Sequence, residues 1–151
     1  MTLDAVRVVE GRAGLFGIND RPFTLGRTIY LKRVDLSTRF DVLVHECVHV
    51  WQYEHIGAGY AARALAAQVR HGWRRRGAYD WQAEVARGRG RWLDFNLEAQ
   101  GSFVQALWAD GEGTRFEDDA RTAFVVDGID YNEVAVEALR ALRSGGEGDG
   151  S

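Results

Sequence analysis

Apolar and polar residues form two short strand-like stretches near the start of the chain. Residues 6–9 are rich in valine, and residues 28–32, which read T-I-Y-L-K, alternate apolar and polar side chains. Both patterns favour β-strands. Several glycines and the single proline, Pro22, lie between the two stretches and indicate loops. We therefore expect a small N-terminal β-sheet.

The first predicted helix follows this region. Ser37 or Thr38 is predicted to cap a helix, since Thr38 and Asp41 together approximate a capping box. The helix should run to about Ile56 and end at Gly57, because glycine commonly terminates helices.

Three further helices and one short capped segment are predicted later in the chain. A helix over residues 58–73 precedes a short segment capped by Asp80, and residues 92–108 have apolar residues at helical spacing. A final helix should span residues 130–143, where Asp130 and Glu133 form a second possible capping box. Residues 144–151 make a Gly/acidic tail that we expect to be disordered.

Composition is that of one ordinary globular domain. The chain has 151 residues, of which 46% are apolar, and this is enough to bury a core within residues 1–143. The net charge of −3 gives no reason to expect a nucleic acid or a membrane as partner. We find neither a membrane-spanning stretch nor a Sec signal peptide, and so expect a cytoplasmic protein or one exported without such a signal.

The main chemical signal is an H-E-x-x-H motif, His45-Glu46-Cys47-Val48-His49, inside the first predicted helix. Side chains four residues apart lie on one helix face, so the two histidines can bind one metal ion. Glu46 is offset around the helix, within reach of a water on that metal. This arrangement is typical of zinc peptidases. Cys47, the only cysteine, projects away from the metal face and is expected to be a small buried apolar residue.

A catalytic zinc ion usually has three protein ligands and one open position. His55 lies ten residues after His45, as in H-E-x-x-H-x-x-G-x-x-H, but Gln52 occupies the position of the helix-ending glycine. On a continuous helix, His55 lies about 240° around the axis from His49. We therefore expect His55 at the helix end, near the C-terminal dipole, and not at the metal.

Glu98 is the better candidate for the third ligand. It lies on a separate predicted helix with apolar neighbours on both sides, where a metal ion would offset the cost of burying a carboxylate. Spacing alone leaves an exposed helix glutamate equally possible. Glu84 and Glu54 are weaker candidates.

Three segments resemble small bacterial zincin domains, the minigluzincin-like group that includes a family once catalogued only as a domain of unknown function. Residues 43–52, L-V-H-E-C-V-H-V-W-Q, resemble the L-x-H-E-x-x-H-V-x-Q segment of these domains. Residues 26–31, G-R-T-I-Y-L, look like the strand that often precedes it. Residues 96–101, N-L-E-A-Q-G, are similar to their N-x-E-x-Q-A helix, with Gly101 in place of alanine. The resemblance covers residues 22–108 and departs at Cys47, where a bulky aliphatic residue is common.

The resemblance implies an α+β, predominantly helical, zincin-like fold. Its parts are a small N-terminal sheet with an edge strand, an H-E-x-x-H helix and a downstream helix that bears the glutamate. It implies Zn²⁺ as cofactor, with His45, His49 and Glu98 as ligands and Glu46 as the catalytic base. By analogy, the strand at residues 28–32 would be the edge that pairs with an extended substrate. The expected partner is thus a peptide or protein substrate, and the expected reaction is hydrolysis of a peptide bond.

Two alternatives to a peptidase stay open. One is a non-catalytic zinc-binding scaffold or partner-binding domain, against which the intact Glu46 argues, because a structural site needs no base. The other is a coincidental motif in a helical binding module.

Supporting residues are less well determined by the sequence. Candidates for stabilising the transition state are Tyr131, Tyr79, His71 and the arginines. Gln52, Gln100 and Asn96 are candidates for holding the ligands in place. The sequence does not determine the oligomeric state.

Overall fold

The computed structural model describes residues 5–11, 22–57, 59, 79–109 and 124–144. The predicted helix over residues 58–73, apart from Gly59, lies outside these ranges. The predicted tail, apart from Ser144, and His71 also lie outside them.

A mixed three-stranded sheet forms the N-terminal part of the described structure. Its strands are β1 (Arg7–Glu10), β2 (Phe23–Leu25) and β3 (Thr28–Lys32), in the order β1-β3-β2. Strand β3 is parallel to β1 and antiparallel to β2. The turn between β2 and β3 contains Gly26 at φ 60°, a conformation that glycine adopts without strain.

The central position of β3 corrects one prediction. The strand itself has the predicted bounds, but it is paired on both sides and so is not an edge strand. Among the described residues, β1 and β2 are the two edge strands of this sheet. The sequence did not predict β2 because a three-residue strand is too short to show a period of two.

Helix α1 (Phe40–Ile56) has the predicted extent and ends before Gly57, whose φ is 91°. Its predicted cap is wrong, because Arg39 occupies the N-cap position and its side chain makes no capping hydrogen bond. The Ser37 and Thr38 hydroxyls instead donate to the Asp35 carboxylate at 2.7 Å and to the Asp35 carbonyl at 3.2 Å, respectively. These hydroxyls stabilise the preceding turn and are not available to the helix.

Helix α2 (Trp81–Ala86) begins as predicted, because the Asp80 carboxylate accepts the Ala83 N–H at 2.9 Å. The single helix predicted over residues 92–108 is instead divided into a 3₁₀ helix (Trp92–Asp94) and helix α3 (Leu97–Ala109). Asn96 causes the break. Its side-chain oxygen accepts the N–H groups of residues 98 and 99, at 3.1 and 3.0 Å, and so starts a new helix.

A two-stranded hairpin and a last helix complete the described chain. Strands β4 (Val125–Val126) and β5 (Ile129–Asp130) are antiparallel and lead into helix α4 (Asn132–Ser144). The Asp130 carboxylate accepts the Asn132 N–H at 2.8 Å, close to the predicted capping position. The final helix is thus confirmed.

The main core lies between the helices, and α1 packs most extensively against α3. Large buried aromatic side chains fill it, among them Trp51, Trp81, Trp92, Phe103 and Phe124. A smaller cluster of Ile29, Leu31 and Val50 joins the sheet to α1, and Cys47 packs against it. The fold is therefore α+β and mainly helical, as predicted. None of the described helices is both long enough and apolar enough to cross a membrane.

Candidate metal centre

Three predicted ligands meet where α1 packs against α3. His45 Nε2 lies 3.6 Å from one oxygen of Glu98, and His49 Nε2 lies 3.7 Å from the other. One potential ligand atom from each residue lies within 4.8 Å of those from the other two. The continuous α1 aligns the histidines on one face, and the first turn of α3 brings the carboxylate opposite them.

Glu98 is only 9% exposed, so the alternative of an exposed helix glutamate is wrong. It follows Asn96 by two residues, and the bond from its own N–H to the Asn96 side chain fixes its place in the first turn. The break in the predicted long helix therefore determines where this carboxylate points.

His55 lies away from the cluster, as the continuous helix predicts. Its Nδ1 is 2.8 Å from the carbonyl oxygen of Trp51, and its ring stacks on the Trp51 indole at a centroid distance of 4.5 Å. The ring is in the last turn of α1, and the residue is exposed. These contacts account for His55 without a metal.

The two weaker glutamate candidates are engaged in ion pairs. Glu84, 1% exposed, pairs with Arg87 and Arg89 and also accepts the backbone N–H of Asn96 at 3.0 Å. Its role is to hold the segment before α3. Glu54 pairs with an arginine of the β2–β3 turn at 2.9 Å.

The donor set fits a divalent transition metal. Two imidazoles and one carboxylate are a common set for a zinc ion with one open position. Tetrahedral zinc with bonds of about 2.0–2.1 Å places its ligand atoms about 3.3 Å apart. The two histidine–carboxylate separations, 3.6 and 3.7 Å, run to different oxygens of Glu98, and the three ligand atoms lie within 4.8 Å of one another. To bind one ion, the side chains would therefore have to move closer together by up to about 1.5 Å. The structure thus brings together a group able to hold a metal ion.

Electrostatics in this cluster favour a positive charge beside Glu98. Burial raises the pKa of Glu98, but hydrogen bonds and charge from His45 and His49 outweigh it and lower that pKa to about 2. Burial likewise lowers the pKa of His49, but Glu98, with smaller contributions from Glu46 and Gln52, outweighs it and raises that pKa to about 9. In the metal-free protein, a proton on His49 therefore supplies the charge that a metal would supply.

The pairing of His49 with Glu98 should stabilise the metal-free protein most between about pH 4.5 and 6.5. The pKa of His49 is raised from 6.5 to about 9, so its contribution is full below pH 6.5 and is lost as the pH rises towards 9. The pKa of Glu98 is lowered from 4.5 to about 2, so its contribution is lost as the pH falls from 4.5 towards 2. Thermal unfolding of the metal-free protein, measured from about pH 2 to pH 9, tests both the acid and the alkaline loss of stability.

In His49→Gln the alkaline loss of stability should become shallower, because the titrating imidazole is gone. Added zinc should shift the wild-type optimum to higher pH, because a metal binds the deprotonated ring. An alkaline limb that is identical in wild type and His49→Gln would contradict the assignment.

Glu46, the remaining defined residue of the H-E-x-x-H motif, is held by a residue that the sequence gave no reason to single out. Glu46 is 6% exposed, and the Thr24 hydroxyl lies 2.7 Å from its Oε2 and 3.2 Å from its carbonyl oxygen. Thr24 belongs to β2 and is separated from Glu46 by 22 residues. No local spacing could have predicted this contact, which joins the edge strand to the motif.

Gly101 is a second unpredicted part of the site. A Cβ at this position would lie 2.8 to 3.0 Å from three ring atoms of His45, closer than normal contacts. The lack of a Cβ at Gly101 therefore leaves room for the His45 imidazole.

Gly101→Ala is expected to weaken metal binding roughly tenfold without a matching loss of stability. Alanine favours a helix by about 1 kcal/mol over glycine, and the clash falls on the end of a side chain that can move. Moving that ring takes His45 Nε2 out of position. Zinc titration and thermal unfolding would measure the two effects. Gly90→Ala is a suitable control, because its added Cβ meets nothing within 4 Å. Unchanged zinc affinity in Gly101→Ala would contradict this role.

The two tyrosines that were candidates for stabilising the transition state lie in different surroundings. Tyr131 is buried in the aromatic core, edge-on to Trp81 at a centroid distance of 4.9 Å. Tyr79 is 42% exposed, and its ring centroid lies 6.1 Å from that of His45. Of the two, Tyr79 is the one beside the cluster.

No family model, no curated protein and no solved structure matches this chain. The resemblance to small zincin domains therefore stays a prediction, and the function has to be inferred from the site itself.

Proposed function

We propose that this protein is a zinc-dependent peptidase of the small gluzincin type. The observation that supports this most directly is the convergence of His45, His49 and Glu98. Glu46 follows His45 directly in the sequence. Two imidazoles and a carboxylate would hold Zn²⁺ and leave one position for water. When bound, the metal supplies a Lewis acid that polarises a carbonyl and lowers the pKa of water.

Glu46 would act as the general base. It would accept a proton from the attacking water and donate it to the leaving amine when the peptide bond breaks. The Thr24 hydroxyl engages Oε2, so the carboxylate is held in one orientation. A base held in place needs less reorganisation during proton transfer.

Strand β2 is the surface we propose for an extended peptide. It is at an edge of the described sheet, and its Thr24 contacts Glu46 directly. A peptide added to this edge would have its backbone fixed next to the base. This role replaces the one that the sequence assigned by analogy to residues 28–32.

A scaffold function for the metal is less well supported. Structural zinc sites usually close with four protein ligands. Within the described ranges, the cluster has three. A base held by hydrogen bonding, as Glu46 is by Thr24, also has no use in a structural site.

Proteolysis can be tested without knowing the natural substrate. Zinc-loaded protein would be incubated with a library of unstructured peptides, and new termini would be identified by mass spectrometry. We expect a restricted set of cleavages that disappear on chelation and return with zinc. Cleavage that persists in the chelated protein, or zinc-loaded protein that gives no new termini, would contradict the proposal.

Thr24→Val is expected to lower kcat/KM roughly tenfold and to leave zinc affinity unchanged. Valine keeps the shape and the strand preference of threonine but removes a hydrogen bond to a charged group, about 1.5–3 kcal/mol. Kinetics on a cleaved peptide, together with zinc titration, would measure this. Thr24→Ser keeps the hydroxyl and should retain most of the activity. If Ser and Val variants lose activity equally, Thr24 does not act through its hydroxyl.

A further inference from the structure

Two buried glutamines connect His49 to the segment that begins α3. Gln52 is 2% exposed and Gln100 is 3% exposed, so neither amide can rely on solvent for its hydrogen bonds. Gln52 Oε1 lies 2.7 Å from His49 Nδ1, and Gln52 Nε2 lies 2.8 Å from Gln100 Oε1. Gln100 Nε2 in turn lies 3.2 Å from the carbonyl oxygen of Trp92 and 3.4 Å from that of Leu93.

The direction of this chain of hydrogen bonds follows from its backbone end. Carbonyl oxygens only accept, so the amide nitrogen of Gln100 must face Trp92 and Leu93. Its oxygen then faces Gln52 and accepts from Gln52 Nε2. The same Gln52 nitrogen donates to the carbonyl oxygen of Leu97 at 2.9 Å, which fixes its orientation a second time.

His49 therefore meets an oxygen and not a nitrogen. Because Gln52 Oε1 can only accept, His49 Nδ1 must carry the hydrogen. In the neutral ring, Nε2 then carries the lone pair, and Nε2 is the atom that faces Glu98. The orientation of two amides thus determines which nitrogen is available to a metal.

We propose that Gln52 and Gln100 are positioning residues that fix the tautomer and the ring orientation of His49. Gln52 also holds the carbonyl of Leu97, the residue before Glu98, so one side chain aligns two ligands on different helices. This inference rests on the metal site of the proposed function but does not depend on peptidase activity.

The other histidine lacks such support among the described residues. His45 Nδ1 is buried and has no hydrogen-bond partner there. The relay formed by Gln52 and Gln100 therefore acts on His49 alone. The tautomer of His45, which has no such support, can be compared with that of His49 in the same protein.

NMR of protein labelled with ¹⁵N-histidine tests the tautomer directly. In zinc-loaded wild type, we expect a proton on His49 Nδ1 that exchanges slowly with water, and none on Nε2. The zinc-free protein in alkaline buffer, where the imidazole is neutral, should give the same tautomer. A proton on Nε2 in that zinc-free sample would overturn the relay, whereas failure to bind zinc would overturn the metal site.

Two substitutions separate positioning from simple structural support. Gln52→Met keeps the approximate shape but removes the acceptor, and we expect a 10–100-fold loss of zinc affinity and rapid exchange of the Nδ1 proton. Gln52→Glu keeps an oxygen towards His49 in either protonation state. It should lose thermal stability beside the Leu97 carbonyl and yet retain zinc affinity and the slow Nδ1 proton.

The exposed-side control is Gln82→Met, which removes an amide that pairs on the surface with Asp127. It should leave zinc affinity and the His49 signal unchanged. If zinc affinity in the Gln52 variants follows thermal stability alone, so that Gln52→Glu loses as much as Gln52→Met, the glutamine is only structural and the proposal is overturned.

Discussion

Glu46→Gln is expected to lower the rate of hydrolysis by about 10²- to 10⁴-fold and to leave the bound metal in place. An amide cannot accept a proton from water at neutral pH, and a general base contributes typically 10²- to 10⁴-fold to the rate. The amide oxygen can still accept from the Thr24 hydroxyl, which holds Oε2 at 2.7 Å, so the local geometry should survive. Metal analysis of the purified variant and turnover of a cleaved peptide would measure both quantities.

Glu54→Gln is a matched control for this substitution. It makes the same chemical change on the same helix, where Glu54 pairs with Arg27 and not with the cluster. We expect it to retain both zinc and activity. A rate of hydrolysis close to that of wild type in Glu46→Gln would contradict the assigned base, and loss of zinc from that variant would show that Glu46 holds the metal.

Glu98→Ala is expected to lower zinc affinity by at least about 100-fold. Loss of a residue that only supports a ligand already costs 10–100-fold, and here a ligand itself is removed. The variant would leave His45 and His49 as the only members of the cluster, without the carboxylate that neutralises a cation. Competition with a chromophoric chelator would measure the affinity.

Glu98→Ala should also change the pKa of His49 in the metal-free protein. Glu98 raises the pKa of His49 to about 9, so its removal should bring that pKa down. Histidine NMR during a pH titration would detect the change. Glu133→Ala, an exposed glutamate on α4, is the control and should alter neither quantity. Full zinc occupancy in Glu98→Ala would contradict its role as third ligand.

The bounds of one helix and one strand, and the exclusion of His55 from the metal cluster, could be predicted from the sequence. Helix α1 has the predicted extent because its apolar run is long and Gly57 ends it. Its continuity through Gln52 was enough to exclude His55 from the cluster. Strand β3 also has the predicted bounds, since five alternating residues show a clear period.

Contacts between distant segments could not be predicted in this way. The meeting of Glu98 with the histidines depends on how α1 packs against α3, and the break at Asn96 sets the first turn of α3. Thr24 reaches Glu46 through tertiary structure, and a three-residue strand gives no periodic signal. The sequence therefore identified the ligands by motif and named Gln52 and Gln100 as candidates for holding them. The contacts of Thr24 and Gly101 follow only from the packing.

Crystals grown with zinc, with anomalous data collected at the zinc edge, test the central claim most directly. The account predicts one peak, about 2.0–2.2 Å from His45 Nε2, His49 Nε2 and one oxygen of Glu98, with a non-protein fourth ligand. A peak at His55 or Cys47, a fourth protein ligand, or the absence of zinc from this cluster would contradict it.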